Sequence, residues 1–174
     1  MQEIYDRASR IRLAIFDVDG VLTDGALYYT DAGEELKAFN VRDGHGLKML
    51  QSSGVRLAIL TSRRSNCVEL RARNLAIDLL RQGVADKRAA FEDMLRELGL
   101  AAEAACYMGD DVIDLPVLRR CGLAVTVPEA PALVRRHAHH VTVAAGGRGA
   151  VRETCELIMR AQHTLDAQLA QYLA

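Results

Sequence analysis

At 174 residues the chain has the length of one domain and enough material for a full core. Half of it is apolar and 26% is charged, the composition of an ordinary soluble globule. A formal net charge of −1 gives no electrostatic reason to expect nucleic acid or an anionic membrane as partner, so any basic site must be local.

Residues 1–10 read as a short, polar, helical lead-in without the apolar core of a signal peptide, and no apolar run approaches the ~18 residues of a membrane span. Cys67, Cys106, Cys121 and Cys155 are widely spaced, with no CxxC pair, and are expected as buried free thiols. The expectation is a cytoplasmic protein in a reducing compartment.

The first strand, Leu13-Ala14-Ile15-Phe16, is a continuous apolar run that suits a parallel strand buried on both faces. It ends on Asp17 and Asp19, whose i, i+2 spacing puts two carboxylates on one side. Like charges so close repel unless a cation or a proton lies between them, so the pair reads as a metal or phosphoryl-transfer site. Asp24-Gly25 and Asp31-Ala32-Gly33 then mark turns around two β-rich runs, 26–30 and 34–39, which predict a hairpin projecting over that strand end.

Asp43-Gly44 precedes a predicted helix over about 45–52. Strands and helices then alternate: strand 56–60, helix 65–74, strand 78–80, helix 87–98, strand 104–108, helix 112–120 and strand 122–127. A helix at 130–136, a strand at 140–143 and a last helix from 149 complete the series. Alternation of this kind predicts an α/β fold, a doubly wound Rossmann-like parallel sheet with helices on both faces, in a single domain spanning 1–174. Its core runs over about 10–162, and the tail of about 163–174 is left open between helix and disorder. Ligands of such folds bind beyond the carboxyl ends of the strands, where Asp17, Asp19, Thr61 and Asp110 would meet.

The ordered set of Asp17-Val18-Asp19-Gly20, Thr61, Lys87 and Gly109-Asp110-Asp111-Val112-Ile113-Asp114 resembles the haloacid dehalogenase superfamily of phosphotransferases. The flanks Phe39-Asn40-Val41-Arg42-Asp43-Gly44, Thr61-Ser62-Arg63 and Gly146-Gly147-Arg148-Gly149-Ala150-Val151-Arg152-Glu153 resemble, within it, the phosphatases of 3-deoxy-D-manno-octulosonate 8-phosphate (Kdo 8-phosphate). The resemblance covers residues 10–165.

Phosphate monoester hydrolysis needs an in-line nucleophile, neutralisation of the phosphoryl oxygens and a proton for the leaving alkoxide. Asp17 suits the first role and Asp19 the third, as acid and then base. The resemblance implies the same roles, with Mg²⁺ held by Asp17, Asp110 and the backbone carbonyl of Asp19, and with Asp111 and Asp114 in support. Asp110 and Asp111 also suit capping of the helix that follows. Thr61 and Lys87 would contact the phosphoryl group, although a single lysine at a helix start is more often solvated.

Substrate contacts carried over by resemblance fall on Asp19, Asn40, Val41, Arg42, Asp43, Gly44, Lys48, Arg63, Arg71, Lys87 and Arg148. Lys48 stands where an arginine is common, keeping the charge without bidentate geometry. Arg63 and Arg71 are expected near one face of a single helix. Phosphatases of the nine-carbon KDN and sialic acid phosphates resemble this chain but tend to have Glu at the position of Arg63, so Arg63 favours the eight-carbon substrate. Gly146-Gly147-Arg148-Gly149 either brings Arg148 to an active site, its own or a neighbour's, or is a glycine turn. Arg135, Arg136, His137, His139 and His140 lack metal-binding spacing and are expected as solvated surface. His45 carries no assigned role.

The stretches from Asp19 to Thr61 and from Lys87 to Asp110 are too short for a cap domain, so the site of one subunit would be open. By resemblance, a homotetramer built on the apolar hairpin would close it. A phosphomutase would need the missing lid. A regulatory subunit of a sugar-nucleotide synthetase would not need Asp17, Asp19, Lys87 and Asp110 intact.

Overall fold

The computed structural model describes residues 2–173; Met1, which opens the predicted lead-in, and Ala174, which ends the predicted tail, lie outside the described residues. Helix α1 (Gln2–Ala8) leads into β1 (Leu13–Phe16), all of whose side chains are buried. A tight wide-helix turn over Val18–Leu22 follows, interrupted by extended Asp19 (φ −72°, ψ 126°) and left-handed Gly20 (φ 79°). Gly20 is required there twice over: a Cβ would be strained at that φ and would stand 2.0 Å from Asp110 Oδ2.

The expected hairpin is present, but its strands shrink to β2 (Tyr28–Tyr29) and β3 (Glu35–Leu36), paired antiparallel with Tyr28 opposite Leu36 and Tyr29 opposite Glu35. A two-stranded ribbon with no third strand has little to extend it. Helix α2 spans Val41–Ser52 and so begins earlier than the sequence pattern suggests. Asn40 Oδ1 accepts from Arg42 N–H at 2.8 Å and Asp43 N–H at 3.4 Å, which caps the helix and draws Asp43-Gly44 into its first turns.

The chain continues through β4 (Arg56–Leu60), α3 (Asn66–Asn74), β5 (Leu79–Arg81), α4 (Lys87–Leu98) and β6 (Ala105–Met108). Asp86 caps α4 by accepting from Ala89 N–H at 3.0 Å. Where one helix over 112–120 was expected, a single 3₁₀ turn, Val112–Asp114, precedes the short α5 (Leu115–Leu118). Asp111 and Asp114 cap that turn reciprocally, so Asp114 folds back on the chain instead of continuing a regular helix. Then come β7 (Leu123–Thr126), α6 (Ala132–His137), β8 (His140–Val141), α7 (Ala150–Ala161) and α8 (Leu165–Ala170).

Six parallel strands form one sheet in the order β5-β4-β1-β6-β7-β8. Helices α1, α2 and α7 pack together, as do α4, α5 and α6, making the helical layers of a doubly wound fold without a cap. The chain runs from β1 outward to β4 and β5 and then crosses to β6 on the other side of β1. That reversal opens a crevice at the carboxyl ends of β1 and β6, the usual ligand site of such sheets.

The tail is helical over Leu165–Ala170: Leu165 is buried and Leu169 packs on the core, while Tyr172, beyond the helix, meets His45 edge-on at 5.5 Å. All four cysteines are free, with Cys67 only half-buried. The basic cluster is not wholly solvated surface. His139 Nδ1 accepts from Ala124 N–H at 2.9 Å, tying its ring to β7, and His140 lies 3.4 Å from Glu153. Among the described residues no helix is long and apolar enough to cross a membrane.

Candidate active site

Asp17 stands one residue beyond β1, and backbone and side chain together fix it: Oδ1 accepts from Val18 N–H at 2.7 Å and Oδ2 from Lys87 Nζ at 2.7 Å. Lys87 opens α4 and is buried, with its second carboxylate, Asp114 Oδ1, at 2.6 Å and Tyr107 Oη at 3.3 Å. Asp114 in turn accepts from Tyr107 O–H at 2.5 Å and, through Oδ2, from the N–H groups of Asp110 at 3.0 Å and Asp111 at 3.1 Å. The loop after β6 is thereby folded around one buried carboxylate, which sets Asp110 beside Asp17.

Asp17, Asp110 and Asp114 each offer an oxygen within 4.8 Å of the others. Burial, and then the charge of Asp114, pushes Asp17 up to about 6 against the pull of Lys87. Burial, followed by the charges of Asp17, Asp114 and Asp111, pushes Asp110 up to about 7. Burial alone would lower the Lys87 ammonium, yet Asp17 and Asp114 hold it above its ordinary value. The cluster is short of positive charge and its donors are all oxygen, which fits a hard divalent cation such as Mg²⁺. Since the oxygens of Asp114 are already taken by Lys87, Tyr107 and two N–H groups, Asp17 and Asp110 are the residues available to hold it.

The cleft over this cluster, about 230 Å³, is lined by Asp17, Asp19, Thr61, Arg63, Asp110 and Asp111 among others. Thr61 is buried at the end of β4 and Asp111 is an exposed cap whose Oδ1 accepts from Val112 N–H at 2.7 Å. The Asp19 carboxylate is not part of the Asp17, Asp110 and Asp114 group. It turns toward the hairpin, bonded to Lys37, with Arg63 Nε 3.7 Å away. Arg63 lies in the loop before α3 and not on one helical face with Arg71; its Nη2 donates to Glu35 at 2.8 Å and to Tyr29 Oη at 3.1 Å.

The other residues expected at the substrate divide into two sets. Val41 and Arg42 are exposed at the start of α2 and Lys48 about two turns further along it, and Arg148 is exposed over an adjoining hollow that it lines with Gly20 and Asp110. The second set is committed to the fold. Asn40 caps α2 and donates to Gly147 C=O at 3.2 Å; Asp43 is buried, accepting from Gly149 N–H at 3.2 Å and Arg152 N–H at 2.8 Å. Gly44 admits Arg71, whose Nη2 would stand 2.2 Å from a Cβ there. Arg71 lies 5.5 Å over the Phe39 ring and donates to Asn40 C=O at 3.1 Å, leaving its Nε buried without a partner.

Sequence reasoning missed Lys37, Glu35 and Tyr107. The signal for the first two was the alternation of Glu35 and Lys37 on one face of a strand beside the catalytic turn. Tyr107 gave none, because a tyrosine inside an apolar strand reads as core.

The haloacid dehalogenase-like hydrolase family matches residues 70–151. The chain is 48% identical over 169 residues to the 3-deoxy-D-manno-octulosonate 8-phosphate phosphatase of Escherichia coli K12, covering 97% of this chain and 90% of that one. Among solved structures, a probable phosphatase from Pseudomonas syringae pv. phaseolica superposes with a TM-score of 0.99 at 50% identity, covering 100% of this chain and 99% of that one. The Moraxella catarrhalis 3-deoxy-D-manno-octulosonate 8-phosphate phosphatase, in complex with magnesium ion, phosphate ion and Kdo, gives 0.97 at 43% identity over 99% of each chain. With these relatives spanning nearly its whole length, and with the motif carboxylates and Lys87 gathered at the sheet's switch point, the chain belongs to the 3-deoxy-D-manno-octulosonate 8-phosphate phosphatase family of haloacid dehalogenase-like hydrolases.

Proposed function

We propose that this chain is an Mg²⁺-dependent phosphatase that hydrolyses Kdo 8-phosphate to Kdo and inorganic phosphate, in the synthesis of the sugar acid of lipopolysaccharide. The observation that carries the reading is Asp17, fixed by Lys87 and Val18 beside Asp110, in a chain 48% identical to a phosphatase of that substrate.

In the first step an Asp17 oxygen attacks phosphorus in line, the bond from phosphorus to the sugar oxygen breaks, and its electron pair leaves with that oxygen. The Asp19 carboxyl gives its proton to the departing oxygen. In the second step a water oxygen attacks the aspartyl-phosphate, Asp19 takes the water's proton, and the bond to Asp17 breaks to release phosphate. Lys87 offsets the charge of Asp17 throughout, and the Thr61 hydroxyl donates to a phosphoryl oxygen. Mg²⁺, held by Asp17, Asp110 and the Asp19 carbonyl, supplies charge neutralisation for the phosphoryl oxygens.

Arg63 at the cleft and Arg148 at the adjoining hollow offer the cations that a sugar acid with a second, carboxylate charge calls for. Leu27, Tyr28, Tyr29 and Leu36 on the hairpin are each 44–58% exposed, and this apolar surface supports a homotetramer assembled through the hairpins. The free thiols support a cytoplasmic location, and the net charge of −1 supports no nucleic acid or membrane partner.

Phosphate release with Mg²⁺ is the test, comparing kcat/KM for Kdo 8-phosphate, KDN 9-phosphate and simple sugar phosphates. Preference for the first is the expected result. Preference for the second keeps the phosphatase and overturns the role of Arg63 in selecting the eight-carbon acid; no turnover of any overturns the catalytic reading in favour of a regulatory subunit.

A further inference from the structure

Asp17 is aimed by a backbone N–H and a buried ammonium, but Asp19, which must aim a proton, stands on an interrupted turn with extended backbone. Among the described residues its carboxylate meets two cationic side chains, Lys37 at Oδ1 and Arg63 Nε at 3.7 Å from Oδ2. The two differ in kind. Arg63 is 44% exposed on its side chain and lines the cleft, whereas the Lys37 side chain is 1% exposed.

A lysine so buried is held there by its partners. Those partners are Asp19 and, at 3.5 Å, Glu35 Oε1. Glu35 and Lys37 are two positions apart, so an extended chain points both to one face, the face that Tyr29 shares through its pairing with Glu35. Leu36, between them, points the other way and is exposed. The hairpin that follows the catalytic turn thus folds back and delivers an ammonium to the carboxylate at that turn's head.

Resting on the phosphatase reading above, we infer that Lys37 is a positioning residue for Asp19. Its ammonium anchors one carboxylate oxygen and leaves the other, on the Arg63 side, to pass the proton to the leaving oxygen. Lys37 acts through Asp19 and does not touch the substrate.

A displaced acid slows only the step in which the leaving oxygen needs a proton, and slows it more the poorer the leaving group. The experiment measures kcat/KM with Mg²⁺ for monoesters without a carboxylate, from p-nitrophenyl through phenyl to a primary alkyl phosphate. kcat/KM reports only the steps up to formation of the aspartyl-phosphate. Lys37→Met is expected to lower the alkyl ester about 10²-fold relative to the nitrophenyl ester, the scale of a lost general acid. Plotted against leaving-group pKa, its line is steeper than that of the unsubstituted chain, and Lys37→Arg restores most of the slope.

Partial unfolding lowers every substrate alike, so the slope still reports positioning in a poorly folded variant. Should Lys37→Met yield no folded protein, the slope of Lys37→Gln decides on the same criterion. Parallel lines for the variants and the unsubstituted chain would overturn the inference alone. Absence of turnover by the unsubstituted chain would overturn the phosphatase reading and the inference with it.

Discussion

The Asp114 carboxylate lies 2.6 Å from the Lys87 ammonium, and neither side chain is more than 2% exposed. Asp114 accepts from four donors, those of Lys87, Tyr107, Asp110 and Asp111. Asp114→Asn would turn an NH₂ group toward one pair of those donors and remove one of the two charges on Lys87. A stability loss of about 3 kcal/mol or more is expected from breaking such a buried pair. Urea unfolding with and without the substitution measures it, and turnover should fall in parallel as Lys87 and Asp110 lose their alignment.

Mg²⁺ should stabilise the chain, because Asp17 and Asp110 repel one another across a buried gap. At a concentration a hundredfold above its dissociation constant the gain is about 2.7 kcal/mol, seen as a rise in Tm. Asp110→Asn is expected to raise the Tm of the metal-free chain and to abolish its response to Mg²⁺. A response of unchanged size would move the ion away from Asp110.

Asp43 is buried between α2 and the start of α7, and burial raises its pKa above 3.8 against the bonds from Arg152 and Gly149. A carboxyl that holds its proton more tightly in the fold contributes its stability fully below pH 3.8 and loses it as pH rises through the raised value. Asp43→Asn should flatten this part of the stability profile. It should also cost about 1–3 kcal/mol near neutrality, since its NH₂ must face one of two backbone donors. KM should not change, in contrast to a direct substrate contact.

Arg63→Gln keeps a polar side chain while removing the guanidinium that Glu35 and Tyr29 now hold. Losing a charged hydrogen bond worth about 1.5–3 kcal/mol predicts a fall of about 10- to 160-fold in kcat/KM for Kdo 8-phosphate. An aryl phosphate, with no carboxylate to bind, should lose far less. Equal losses would assign Arg63 to the phosphoryl pocket.

Leu36 is 54% exposed on the outer face of the hairpin, opposite Tyr28. Leu36→Glu should disrupt assembly through that face and lower the sedimentation coefficient to that of a smaller oligomer. An unchanged oligomer would place the interface elsewhere.

The strand-end positions of Asp17, Thr61 and Asp110 are legible in the sequence because apolar runs fix the strands and parallel pairing aligns their carboxyl ends. Lys37 is not, since a lysine alternating with glutamate on a hairpin reads as a solvated edge until the hairpin's angle to the sheet is known. The intramolecular partners of Asn40 and Asp43 are not legible either: Gly147, Gly149 and Arg152 lie 106–109 positions further on, and no local pattern announces such pairing. Arg71 is similarly drawn onto Phe39 and Asn40 by packing that only the folded chain reveals.

The glycine loop before α7 rests directly on the catalytic turn: Gly147 N–H donates to Val21 C=O at 2.9 Å, and a Cβ on Gly146 would stand 1.9 Å from Gly20 C=O. The turn bearing Asp19 and Gly20 is therefore braced by residues synthesised well after it. At about 5–20 residues per second, the nascent chain spends on the order of ten seconds with Asp17, Asp19 and eventually Lys87 and Asp110 synthesised but the turn unbraced. A ribosome stalled after Asp110 but before Gly146 would carry every motif carboxylate without the brace that sets the turn.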